Sequence, residues 1–141
     1  MSGSRLTLAR FGLAYVVVLV AVALLDAVWL GVLTKDLYKR EMGSLMADSF
    51  RAAPAILFYL LYPLALVYLV LWNAPSGWTE ALLRSAVLGL AAYGAYNLTN
   101  LSIVRSWPVQ LSLIDWTWGC VVSALGGGAG YWATWDRTQG R

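Results

Sequence analysis

Four long runs of apolar residues, separated by short polar clusters, set the pattern of this chain. The first covers about 11–33, opening after Arg10 and closing on Thr34, Lys35 and Asp36; the others cover about 54–72, 81–104 and 111–135. A hydrocarbon core roughly 30 Å thick takes about 20 helical residues to cross, so each run has the length of a transmembrane helix. The pattern predicts an all-α membrane protein: a four-helix transmembrane bundle forming one domain over residues 1–141. Runs three and four are joined only through 105–110, which makes them antiparallel neighbours. Residues 73–77, Asn-Ala-Pro-Ser-Gly, form a turn between runs two and three. Pro54 sits in the first turn of the second run and Pro63 lies inside it, where it should kink the helix. Between runs one and two, Tyr38, Met42, Leu45, Met46 and Ser49 recur at helical spacing. That spacing predicts a short amphipathic helix lying in the interface, an anchoring strap in preference to a functional lid.

Composition supports lipid as the solvent. Of the residues 60% are apolar and 12% charged, against about a quarter charged in soluble domains. The net charge of +3 is spread over ends and loops, with no basic stripe that would follow a phosphate backbone, so nucleic acid is not an expected partner. The chain has no His and a single Cys120, which argues against disulfide scaffolds and His-based metal or nucleophilic sites; no metal site and no cofactor are expected. A signal peptide competes for the first run, since Arg5 and Arg10 precede it and Ala21-Val22-Ala23 has the small-x-small form. The apolar pattern continues through Leu24, Leu25, Val28, Trp29 and Val32, beyond the roughly 7 to 15 residues of a signal core. Trp72, Trp78, Trp107, Trp132 and Trp135 fall at run ends, the place of an interfacial aromatic belt. Charge does not orient the bundle: Lys35, Lys39, Arg40, Arg51 and Arg105 on one side face Arg5, Arg10, Arg84, Arg137 and Arg141 on the other. The flanks of the first helix lean toward loops one and three being cytoplasmic.

Polar residues inside the runs carry the functional signal. An ionisable side chain costs about 2.5 to 3.5 kcal/mol at the centre of a membrane helix and therefore faces a bundle interior or a wet cavity. Counted at 1.5 Å per residue, Asp26 lies roughly 10 Å, Asn97 and Asn100 roughly 6 to 10 Å, Asp115 roughly 6 Å and Tyr59 roughly 7 Å below the side bearing loops one and three. Four helices thus bring polar groups to one level. Tyr93, Asn97 and Asn100 form a stripe at i, i+4 and i+7, while Asp26 with Trp29 and Asp115 with Trp118 repeat i, i+3. The opposite half differs: Gly119, Ser123, Gly127 and their small neighbours, with Gly89, Ala92 and Gly94, form faces that let helices approach closely.

The runs Leu25-Asp26-Ala27-Val28-Trp29-Leu30-Gly31 and Tyr93-Gly94-Ala95-Tyr96-Asn97-Leu98-Thr99-Asn100-Leu101, with Trp107-Pro108 and Asp115-Trp116-Thr117-Trp118-Gly119, resemble an uncharacterised bacterial family of small inner-membrane proteins, domain of unknown function 2177. The likeness covers nearly the whole chain. It implies a multi-pass, four-span architecture in the inner membrane with these polar positions, and it supplies no activity.

These residues point to an intramembrane site for a small amphipathic or lipid-like molecule, serving transport or lipid modification. Asp26, Asn97, Asn100 and Asp115 would fix a polar head, with Trp29, Tyr59, Tyr62, Tyr93 and Trp118 around it. The alternative is an accessory or structural subunit of a larger membrane complex, or a homo-oligomer, in which the polar cluster is interhelical glue. An enzyme acting alone ranks third, because no nucleophile, metal set or cofactor motif is present. Beyond membrane lipids, the expected partners are that small ligand or another membrane protein.

Overall fold

A computed structural model describes residues 5–135 as all-helical, with five α-helices in the order α1 (Leu8–Val28), α2 (Lys35–Met42), α3 (Ala52–Leu66), α4 (Trp78–Ile103) and α5 (Val109–Thr134). Arg137 and Arg141, which entered the charge comparison, lie outside the described residues. Two segments, Leu8–Leu33 and Ala52–Leu71, are long and apolar enough to cross a membrane. α4 and α5 have the length, 26 residues each, but not the hydropathy. Glu80, Arg84 and the stretch Asn97-Leu98-Thr99-Asn100 dilute α4, and Asp115 with five glycines dilutes α5.

α1 starts where the Thr7 side chain accepts the Arg10 N–H at 3.3 Å, satisfying one of the orphan donors of the first turn. Its buried residues are Ala14, Val18, Val22 and Asp26. They recur every four positions, so Asp26 is the polar end of the stripe that α1 turns inward. Past Val28 the helix widens into a π turn, Trp29–Leu33. The Thr34 N–H and hydroxyl both donate to the Trp29 carbonyl, at 2.9 and 2.6 Å, and close that turn. α3 continues through Pro63 and widens in the same way at Val67–Leu71. Neither π turn was readable from the apolar spacing.

The expected amphipathic helix exists but is shorter than the spacing implied. α2 ends at Met42, because Gly43 takes a positive φ of 49° and the chain passes into a single 3-10 turn, Gly43–Leu45; Met46 and Ser49 lie outside it. The 73–77 turn forms as expected, with Ala74 at φ 43°. At its end the Ser76 N–H and hydroxyl both donate to Glu80 in the first turn of α4.

α5 lies against α4 along most of its length and against α1 on another side. Its glycines permit this. A methyl group on Gly127 would overlap the Ser85 side chain of α4, and one on Gly130 would press on Val18 of α1 and on Leu71. One on Gly126 would meet Val22, and one on Gly89 would strike the Gly119 carbonyl and Ser123. The small-residue faces therefore serve close helix approach. Around this narrow interior the outer surface is apolar, with Val16, Val20 and Leu24 of α1, Leu57 and Leu61 of α3, Leu83 and Val87 of α4 and Leu113 and Leu125 of α5 all exposed.

Candidate functional site

The polar residues meet toward the end of the molecule that carries α2. Asp26 on α1 is 5% exposed and holds one donor on each carboxylate oxygen: the Tyr59 hydroxyl of α3 at 2.7 Å and the Trp118 indole N–H of α5 at 2.8 Å. Asp115 on α5 is arranged the same way. Its oxygens accept the Tyr38 hydroxyl of α2 at 2.6 Å and the Asn97 amide of α4 at 2.8 Å. Asn97 is buried and also donates to the Tyr93 carbonyl at 2.9 Å. All five helices thus contribute a side chain to two carboxylates. Every donor is neutral, and neither carboxylate pairs with Lys or Arg among the described residues.

Trp29 and Trp118 stand between these two centres as a parallel stack, ring centroids 4.3 Å apart and planes within 2°. The π turn that begins at Trp29 sets the chain's exit from α1 at this level. The Trp29 indole N–H is buried without a well-formed hydrogen bond, although it lies near enough to the Tyr38 oxygen to favour ionisation slightly there. Burial, followed by the hydrogen bond to Asp115 and that group's charge, nevertheless holds the Tyr38 phenol well above its usual range.

Deeper in the molecule a second layer is mainly aromatic. Tyr62 is buried, its hydroxyl shares a short hydrogen bond with Ser123, and its ring stacks on Phe58 at 5.3 Å. Tyr93 packs edge-on to Tyr62 at 6.0 Å and fills the space above Gly119. Tyr93 therefore contributes its ring and its carbonyl rather than its hydroxyl.

On the outer face of α5 lies an open groove of about 400 Å³, lined by Trp29, Leu113, Ile114, Thr117, Trp118 and Val121. Thr117 turns its hydroxyl back to the Leu113 carbonyl at 2.8 Å, so the groove wall is apolar and aromatic. Of the expected site residues, Trp29 and Trp118 line it; Asp26 is one side chain away through the Trp118 N–H. Of the residues the depth count put at one level, Asp26, Tyr59, Asn97 and Asp115 enter the hydrogen-bonded layer, joined there by Trp118. Asn100, at the end of the α4 stripe, is half-buried and makes no side-chain hydrogen bond.

Tyr38 is the member that sequence reasoning missed. Its helical spacing puts it on the apolar face of the interfacial helix, and the signal in the sequence is that this face carries a phenol at the level of a carboxylate near its own helix end. The bond spans 77 positions of sequence.

An all-helical chain with an apolar exterior, two segments fit to cross a bilayer and carboxylates on its inner face is a membrane protein. The chain belongs to the family described as predicted membrane protein (DUF2177), which matches residues 11–132 and so includes every residue of this site. No curated protein and no solved structure matches it.

Proposed function

We propose that this protein crosses the inner membrane four times, with α1, α3, α4 and α5 as the spans, and that it binds a small amphipathic or lipid-like molecule at the Trp29–Trp118 level for transport or modification of that molecule. The observation that carries the reading is the joining of two features at one place. A groove of about 400 Å³ opens on the exposed side of α5, and its two indoles back directly onto a layer containing two carboxylates. Interhelical glue explains the hydrogen bonds but not the choice of carboxylate. A neutral amide gives comparable bonds, on the order of 0.6 kcal/mol each in membrane helices, without the expense of burying a charge. α4 and α5 fit the role of spans despite their lower hydropathy. Asn97 is turned inward, and Ser112, Thr117 and Thr134 spend their hydroxyls on backbone carbonyls, while Leu83, Val87, Leu113 and Leu125 face outward.

Native mass spectrometry of the full chain released from the membrane tests the reading. A bound small molecule or lipid is expected on wild type and should be lost from Trp118→Ala, which removes a groove wall. Wild type that carries nothing, or a Trp118→Ala protein that keeps its bound species, overturns it.

A further inference from the structure

We infer that α2 is a strap that closes the polar layer, with the Tyr38 hydroxyl on Asp115 as its latch, a proposal that rests on the amphiphile-binding reading above. Every carboxylate oxygen of Asp26 and Asp115 accepts a hydrogen bond from the protein, and the groove wall is apolar and aromatic. In this arrangement the acids face protein donors rather than the groove. Presenting one of them to a ligand requires a donor to leave. Three of the four donors belong to long helices: Tyr59 of α3, Asn97 of α4 and Trp118 of α5. The fourth, Tyr38, belongs to α2.

α2 is the helix held least firmly. None of its residues is buried, and residues 43–54, which lead from it into α3, are exposed throughout. Among the described residues, the Tyr38 bond is the one hydrogen bond joining an α2 side chain to another helix; Arg40 and Glu41 pair with each other. Both ends of α2 are points where the chain can turn. Thr34 is tied to α1 by two bonds to the Trp29 carbonyl and has left helical geometry, at φ −121° and ψ 5°. Gly43 follows α2 at φ 49°, a conformation glycine adopts without a steric penalty. A short helix between two such points swings as one body. When it does, Asp115 loses the phenol. The Trp29 N–H, buried beside the Tyr38 oxygen without a well-formed bond, is uncovered with it. An acceptor and a donor then stand together beside Trp29, one of the groove's walls. In the closed arrangement the Tyr38 phenol occupies the place of a ligand's polar head.

The test uses the full chain in maltoside micelles, with Cys120→Ala as background and spin labels at Lys39→Cys on α2 and Gln110→Cys at the start of α5, both exposed positions. Pulsed electron resonance is expected to find one main distance. Tyr38→Phe should enlarge a second, longer population about fivefold, the shift that one hydrogen bond supports. Because α2 holds no buried residue, this variant should leave the bundle folded. Dodecanol, followed by stopped-flow tryptophan fluorescence on unlabelled chains, should enter Tyr38→Phe about fivefold faster than wild type on the same ground. Tyr15→Phe removes a hydroxyl bond of the same kind, to the Leu60 carbonyl, and should move neither readout. Unchanged label distances in Tyr38→Phe overturn the strap, and changed distances with an unchanged rate of entry overturn its action as a gate. Equal effects from Tyr15→Phe overturn the latch, because general loosening would then be the cause. A dodecanol signal absent from both chains overturns the amphiphile reading and the gate with it, while the label distances still decide whether the latch exists.

Discussion

The two ends of this helical protein are built on different principles. Toward Trp72 and the start of α4, helices touch through glycine: Gly126 and Gly130 against Val22 and Val18 of α1, Gly127 against Ser85 of α4. That end is closed further by the Leu6 N–H on the Trp72 carbonyl at 3.2 Å and by Phe11 edge-on to Trp72 at 4.9 Å. Toward α2 the spacing is filled by aromatic rings and two carboxylates, and the helices are joined through side-chain hydrogen bonds. Close backbone approach admits one arrangement, since any added atom collides. Hydrogen bonds through side chains hold the helices farther apart and can be exchanged for bonds to a ligand. The glycine end is therefore the close-packed part of the molecule, and the carboxylate end is the part for which binding is proposed.

The largest effect should come from breaking the close-packed end. Gly127→Leu places atoms where Ser85 stands. It should lower stability by about 1 to 3 kcal/mol, read as a fall in the thermal unfolding temperature in micelles, with α4 and α5 the first segments to lose protection from hydrogen exchange. An unchanged unfolding temperature would mean that the two helices can separate freely, and the contrast between the ends would vanish.

Asp26→Asn probes the other end and should separate stability from binding. The amide keeps a hydrogen-bonding shape and removes a buried acid, so the unfolding free energy should change by less than about 1 kcal/mol or improve. Bound molecule should nevertheless be lost in native mass spectrometry. A variant that keeps both the wild-type unfolding temperature and the wild-type bound species would make the carboxylate purely structural.

Tyr38→Phe removes one hydrogen bond, worth about 1 kcal/mol, and leaves the ring in place. Hydrogen exchange should rise over 34–51 while the rest of the chain is unaffected. The same contact predicts a pH response. Its proton is held more tightly in the folded chain than in the unfolded one. The Tyr38 contribution is therefore complete below the ordinary phenol value of 10.0 and declines as pH rises beyond it. An alkaline loss of protection over α2 in wild type that is absent from Tyr38→Phe would confirm the sign.

The smallest effect belongs to the exposed first turn of α4. Glu80→Gln weakens the Ser76 cap and the Arg84 pair, and it should leave both the unfolding temperature and ligand retention close to wild type. A clear loss of bound species from this variant would show that the two ends are coupled.

Much of this was legible in the sequence because it depends on one helix at a time. Run length gave the long helices, and the cost of an ionisable side chain in a membrane helix turned Asp26 inward, where the structure sets it in line with Ala14, Val18 and Val22. Depth counting brought Asp26, Tyr59, Asn97 and Asp115 to one level, and the spacing of Gly119, Ser123 and Gly127 marked the close-packed face. Those inferences use only rise and period, which the backbone imposes whatever surrounds it.

What tertiary structure decided was which groups at that level touch. Period and depth leave rotation about each axis open, so Asn100 looked equivalent to Asn97, yet only Asn97 reaches Asp115. The π turn at Trp29 depends on Thr34 doubling its bonds to one carbonyl, and an extra residue in a turn leaves no mark on a pattern read at fixed period. Tyr38 reaches Asp115 across 77 residues. The groove is walled by Trp29, just past the end of α1, and by five residues of α5. Each of these is a relation between helices, fixed by how their surfaces pack, and a linear sequence carries the surfaces without the angles at which they meet.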